Sequence, residues 1–303
     1  MIFYFTATGN SLYAARQIGG GDELVSIAQE LRKTDRHYQD DAIGIVVPLF
    51  EFDLPDVVDR FIATSTFDTD YFFIVSTFGM HSGGIAERVS KRLEAAGRHV
   101  DYYNTVIMVD NAIQVFDMEE QMRIDPEKHV DEQLEAVRAD IAARRHYIQP
   151  ATQEEVDFYE GYMANPAFDL HPRLDNPLYR LTDACIGCGT CSRVCPMRSI
   201  TMEDNRPSWD YTTCAGCYAC VHACPKAAIR FTKLRGAQPR GALPQSARDA
   251  GGPHESSRLT LENAQIGEPT RAQAQSRRTK HVTQSIAQAR ARTWAMPVSA
   301  HFH

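Results

Sequence analysis

Outside residues 185–224 the chain contains no cysteine. Thiols confined to one short stretch fit a reducing cytoplasm better than an oxidising compartment. No apolar run approaches the ~18–20 residues that cross a bilayer. The first apolar residues follow no basic leader, so neither a membrane span nor a secretory signal is expected. A Gly-Lys-Ser/Thr phosphate loop is missing, as is the G-x-G-x-x-G fingerprint of dinucleotide sites. No Ser/His/Asp set and no paired-carboxylate motif points to hydrolysis. The net charge is −7 over 303 residues, which gives no basic excess for a nucleic-acid partner.

What the chain does have is all eight of its cysteines in one repeated pattern. Residues 185–196 read CIGCGTCSRVCP, and residues 214–225 read CAGCYACVHACP. The second run is the first displaced by 29 positions, with Pro196 mapping onto Pro225 and Ile200 onto Ile229. This is an internal repeat. Three cysteines at two-residue intervals wrap one loop around three irons of a cubane. In C-x2-C-x2-C-x3-C-P runs the fourth cysteine ligates the other cluster. The spacing predicts one [4Fe–4S] cluster on Cys185, Cys188, Cys191 and Cys224, and a second on Cys214, Cys217, Cys220 and Cys195. Gly187, Gly189 and Gly216 suit the tight loops that this requires. Disulfides would call for an oxidising setting, and zinc for paired C-x2-C units without the terminal Cys-Pro. His222 and Tyr218 lie within the second run, but the thiolate count is complete without them. The stretch resembles the bacterial-type ferredoxins that hold two [4Fe–4S] clusters, over about residues 179–235. That resemblance implies a small α+β domain.

The first half carries a different signal. Residues 1–5 (MIFYF) form a short apolar run, residues 6–11 read TATGNS, and a helical pattern follows over 12–18. A strand, a hydroxyl-rich turn and a helix together suit a phosphate, because a helix start presents unpaired N–H groups. Near-continuous apolar runs at 42–47 and 71–76, and a weaker one at 106–109, predict strands buried on both faces. Helical patterns follow at 55–62, 85–96 and 131–147, the last opened by Asp125 and Pro126. Alternation of this kind predicts a parallel sheet covered by helices on both faces, with ligands at the carboxyl ends of its strands. Those ends carry residues 6–11, the aromatic loop 48–52 and the glycine-rich loop 77–84. A flat ring with a phosphate tail would match them.

This half, about residues 1–148, resembles flavodoxin, with Thr6, Ala7, Thr8, Gly9, Asn10 and Ser11 in the place of its FMN phosphate loop. The resemblance implies a doubly wound sheet in order 2-1-3-4-5 and an FMN site at its edge. By position it brings Phe50 and Phe52 to the isoalloxazine ring and Thr77, Phe78 and Gly79 to its polar edge. Glu51 and His81 lie in the same loops and read more simply as exposed residues.

Residues 149–178 hold several prolines and aromatics and no long periodicity. They are expected to connect the two parts, with Tyr159, Tyr162, Phe168 and Tyr179 packing between them or beside the clusters. Residues 200–202 and 229–232 read as short matching strands, and Trp209 and Tyr211 as shields of the second cysteine loop. From about residue 236 to residue 303 the chain is rich in Ala, Gln, Arg and Ser, and disorder is expected there, with short helices at most near 259–264 and 283–292.

A flavodoxin-like part followed by a two-cluster part resembles the flavodoxin–ferredoxin fusion family. The resemblance implies electron transfer between FMN and two [4Fe–4S] clusters, with redox partner proteins beyond them. Two other readings remain open at this point. One is a flavin-dependent oxidoreductase fed by the clusters, and the other is an iron–sulfur redox sensor.

Overall fold

The central strands of the first half alternate their side chains between two helical layers. In β1 (Ile2–Tyr4), Ile2 and Tyr4 enter one core while Phe3, with Phe5 beyond it, enters the other. Period-two alternation with both faces apolar is what a strand covered by helices requires. The computed structural model describes residues 1–164 and 177–232. The sequence expectations for residues 165–176, Phe168 among them, and for the tail lie outside the described residues.

After β1 come α1 (Asn10–Gly19), β2 (Leu24–Ser26), α2 (Ile27–Glu30), β3 (His37–Gln39), β4 (Ala42–Pro48) and α3 (Asp56–Thr64). Then follow β5 (Thr66–Asp68), β6 (Tyr71–Phe78), α4 (Ile85–Ala95), β7 (Tyr102–Ile107), α5 (Met118–Ile124), α6 (Val130–Ala142) and β8 (Tyr147–Ile148). The main sheet runs β2-β1-β4-β6-β7-β8 and is parallel throughout. Leaving aside the separate β3–β5 pair, the first five strands stand in the order 2-1-3-4-5, and β8 adds a short edge. This sheet with its helices fits an α/β flavodoxin-like fold. Helices α2, α3 and α4 cover one face, through Ile27, Val58, Phe61 and Val89. Helices α1 and α6 cover the other, through Leu12, Ala15, Leu134 and Val137.

Three local expectations need correction. The strand expected at 106–109 begins earlier, at Tyr102, because Tyr102 and Tyr103 are fully buried despite their hydroxyls. Each hydroxyl has a partner: Tyr103 shares a bond with Ser76 Oγ at 2.8 Å, and Tyr102 accepts one from Asn104 at 2.9 Å.

The helix expected to run from 126 to 147 is broken at its start. Residues Asp125–Lys128 form a 3₁₀ turn, His129 is left-handed at φ 48°, and α6 begins only at Val130. Lys128 explains the break. Its ammonium donates to Met108 O at 2.6 Å and Gly79 O at 2.9 Å, which pins the turn beneath two strand ends.

The connector, read as lacking periodicity, contains α7 (Gln153–Ala164). Thr152 and Glu155 cap it reciprocally: Glu155 N–H donates to Thr152 Oγ1 at 3.2 Å, and Thr152 N–H to Glu155 Oε2 at 2.9 Å. That is a capping box, and the T-x-x-E at 152–155 was its sequence signal.

The cysteine-bearing part consists of β9 (Tyr179–Leu181), α8 (Thr190–Val194), β10 (Ile200–Glu203), β11 (Arg206–Trp209), α9 (Ala219–Ala223) and β12 (Ile229–Phe231). β10 pairs with β11 and β12 with β9, both antiparallel. The strands expected at 200–202 and 229–232 are thus present, each with its own partner. A third core gathers Tyr179, Ile200, Cys220, Ile229 and Phe231 with Val109, Ile113 and Met118 of the first half. All described residues fall within one compact unit.

Candidate functional site

The repeat in sequence is also a repeat in conformation. Cys195 and Cys224 end α8 and α9 with φ/ψ of −70°/111° and −70°/112°. Each sulfur accepts a backbone N–H four residues on, from Ser199 at 3.3 Å and Ala228 at 3.2 Å. The left-handed residue before each helix is Gly189 in one half and Tyr218 in the other, at φ 69° and 61°. Tyrosine is an unusual choice for that conformation. Two contacts hold it: its hydroxyl accepts from Gln114 Nε2 at 3.0 Å, and its ring meets Phe231 edge-on.

One cleft is lined by Cys185, Cys188, Cys191 and Cys224, together with Ile186 and Met202. The structure therefore brings the first three cysteines to the fourth cysteine of the second run. Cys188 is exposed, and Ile186 beside it is 62% exposed. The Thr190 side chain and backbone hold the Cys188 thiol below its ordinary pKa.

The other set is deeper. Burial raises the Cys214 thiol to about 11 and pushes the Cys217 and Cys220 thiols well up too, with the charges of neighbouring cysteines, Cys195 among them, adding to the rise. Thiolates crowded in such a place need positive charge among them, which iron supplies. Two buried donors also fit a sulfide-rich group. Among the described residues, Tyr179 Oη has no hydrogen-bond partner, and Trp209 Nε1 has none beyond the sulfur of Cys220. Tyr179 lies among Cys214, Cys217 and Cys220, and Trp209 lies close enough to Cys220 to favour its thiolate. Trp209 and Tyr211 pack in the same core, with Cys214 and Cys220. The donor set thus fits two clusters, with Cys185, Cys188, Cys191 and Cys224 around one position and Cys195, Cys214, Cys217 and Cys220 around the other.

The deeper set abuts the sheet. Cys217, Ala215 and Met197 pack on the core that holds Phe5, with Leu49 and Phe50 alongside. His222 Nε2 lies 2.8 Å from Asn111 O, and Arg32 donates to Pro196 O at 2.7 Å. His222 is therefore a contact between the two halves. Among sequence signals, only its place inside the second cysteine run marked it.

At the carboxyl ends of the strands, residues 6–11 form the turn into α1. Thr6, Thr8 and Ser11 are buried, and Ser11 Oγ lies 2.9 Å from Thr77 Oγ1. Thr8 Oγ1 accepts from Asn111, and Asn10 Nδ2 donates to Val109 O at 2.9 Å. No side chain caps α1, and its first turn carries no acid, so its N–H groups suit a phosphate.

The ring candidates diverge. Phe50 faces Phe5, while Phe52 meets Phe158 and Tyr162 of α7 at centroid distances of 5.2 and 4.8 Å. Loops 48–54 and 79–84 touch: the Cβ of Phe52 is 3.2 Å from where a Cβ on Gly83 would sit, and Arg88 donates to Phe52 O and to Gly83 O. The turn at residues 6–11 suits a phosphate. A ring between Phe52 and Gly83 does not fit the loops as they stand. Gly79 abuts Asp110, whose carboxyl is raised by burial. His81 stacks on Phe158 at 3.9 Å instead of standing free. Tyr159 and Tyr162 were expected to pack between the parts or beside the clusters; they pack on Arg88 and Phe52 of the sheet domain. The Phe158 contacts and Asp110 were not foreseen, because they depend on loop packing that local pattern does not encode.

A search among curated proteins found no match. The structure of the Trp repressor binding protein from Bacillus subtilis aligns with 10% identity and a TM-score of 0.30, covering 46% of this chain and 95% of that one. The flavodoxin-like reading rests on strand order, not on that likeness. Residues 177–225 match the family described as the 4Fe-4S dicluster domain, which supports a ferredoxin-like carboxyl-terminal part and iron–sulfur electron transfer.

Proposed function

We propose that this chain is a cytoplasmic electron-transfer protein in which two [4Fe–4S] clusters and FMN, anchored by its phosphate at residues 6–11 with its ring outside the closed contact of Phe52 and Gly83, serve one path. Its parts are a flavodoxin-like domain over 1–148, a connector over 149–178 and a two-cluster domain over 179–235. The observation that carries the reading is the unequal placing of the two cysteine sets. Cys217 of one packs on the core at the carboxyl end of the sheet, while Cys188 of the other is exposed. The set with Cys195 is the inner station and the set with Cys224 the outer one, open to a redox partner protein.

When bound, the clusters supply one-electron transfer and the flavin one- or two-electron chemistry. The chain's own groups do the rest. Tyr179, Trp209 and Tyr211 exclude water from the inner set, and the N–H groups of Ser199 and Ala228 donate to the crossing cysteines. Residues 6–11 would hold the phosphate at the start of α1. Fusion on one chain replaces a diffusional encounter with a high effective concentration.

Anaerobic purification with iron, sulfide and flavin quantified per chain tests this. The expected result is about eight iron, eight sulfide and one FMN, following the ligand count. Eight iron with no flavin after added FMN removes the flavin from the proposal. Zinc in the cysteine sites overturns it.

A further inference from the structure

The parallel pairing of β7 with β8 sets Tyr102 opposite Tyr147. The residues just before them, Asp101 and His146, are therefore neighbours at the amino-terminal edge of the sheet, away from the cysteines. His99 lies two residues before Asp101. Among the described residues, His99, Asp101 and His146 bring one ligand atom each to within 4.8 Å of one another. We propose that they form a site for a divalent transition-metal ion, of the zinc class, that staples the starts of β7 and β8.

Three features carry the assignment. The first is spacing. Asp101 Oδ1 lies 3.4 Å from His99 Nε2 and 3.2 Å from His146 Nδ1. Ligands about 2.0–2.1 Å from a tetrahedral ion sit about 3.4 Å from one another.

The second is the outer support. Asp101 Oδ2 accepts the Phe72 N–H at 2.8 Å, which leaves Oδ1 for the ion. His99 Nδ1 lies 3.1 Å from Glu94 Oε2, which fixes the tautomer with its Nε2 lone pair toward the site. A carboxylate behind a ligating imidazole is the usual way such a ring is oriented.

The third is access and charge. The Asp101 side chain is 12% exposed and both rings are open to solvent, so an ion enters freely and water completes its shell. The nearby cations do not oppose it strongly. Arg145 is engaged by Asp140 at 3.0 Å, and the Arg144 guanidinium lies over the Tyr71 ring at 6.0 Å. Two imidazoles and one carboxylate favour zinc, nickel, cobalt or copper over magnesium or calcium.

The consequence is local. β8 pairs with β7 through two residues only, and it leads toward α7. An ion across the two strand starts would fix this short edge.

The test uses the full chain, purified anaerobically with its clusters loaded and passed over chelating resin. Zinc binding is measured by equilibrium dialysis with metal analysis, alongside His146→Gln, His99→Gln and Asp101→Asn. The wild type is expected to take one zinc per chain without loss of iron. Each variant should bind it at least about tenfold more weakly, with iron and sulfide unchanged. Cobalt in place of zinc should show ligand-field bands without thiolate-to-cobalt charge transfer. Zinc binding unchanged in His146→Gln, a thiolate charge-transfer spectrum, or no zinc taken up at submillimolar concentration overturns the proposal. The two exposed histidines guard the test against a folding defect in Asp101→Asn.

Discussion

At the scale of the residue, orphaned and crowded groups make the sharpest statements. Tyr179 Oη is buried without a partner beside the inner cysteines. A donor to cluster sulfur favours the reduced, more negative state. Tyr179→Phe keeps the ring and removes the donor. It should lower the inner potential by about 20–60 mV, the equivalent of one modest hydrogen bond. A potentiometric titration followed by electron paramagnetic resonance reads this, and unchanged potentials would dismiss the contact.

Asp59 supplies a pH dependence. Burial raises its carboxyl to about 6, with repulsion from Asp53 and Asp56 adding to the rise and Arg92 opposing it. The folded state then holds this proton more tightly than the unfolded chain does. The group's contribution to stability therefore falls as pH rises from about 4 to about 6. Relative to wild type, Asp59→Asn should gain in Tm across that interval and level off above it. A constant difference would refute the shift.

The cysteine runs of the dicluster region and the 6–11 turn were legible at this scale, because each is written in a few consecutive residues. Tyr179 was legible as an aromatic beside the clusters, but its unpartnered hydroxyl, Asp110 and the contact between His222 and Asn111 were not, since each depends on a partner tens of residues away.

Among elements, legibility followed the clarity of period. β4 and β6 are unbroken apolar runs and stand where their sequences put them. β7 opens with two tyrosines and an asparagine, and its buried hydroxyls disguised its start. α6 seemed longer than it is, because Asp125 and Pro126 imitate a helix entry that Lys128 diverts into a 3₁₀ turn. α7 was overlooked although its capping box is readable, since its apolar residues form no continuous stripe. That helix rests on Phe52 and on its own cap. Thr152→Ala should cost about 0.5–2 kcal/mol locally. Amide exchange over residues 153–164 would speed up while the midpoint of global unfolding hardly moves. Equal slowing or speeding throughout the chain would contradict a local role.

For the whole molecule, the joint between the sheet and the cysteine-bearing part decides behaviour. No described helix is long and apolar enough to cross a membrane. The joint combines an apolar seat, with Cys217 and Ala215 near Phe50, and a few polar ties such as His222 to Asn111. His222→Ala should leave iron at about eight per chain, because the ligand count is complete without it. It should also hasten amide exchange over residues 109–116. Loss of iron in that variant would instead make the histidine a ligand.

The crossing of the fourth cysteines also bears on synthesis. On the proposed pairing, Cys185, Cys188 and Cys191 wait for Cys224, which leaves the ribosome about 30 residues later. At ~5–20 residues per second, that is roughly 2–6 s of three thiols without a fourth. Iron delivered earlier would meet an open, three-coordinate loop, whereas both sites become complete within a few residues of each other near Cys220 and Cys224. Cluster insertion is thereby timed to the end of the second repeat, and the two centres are expected to fill together or not at all.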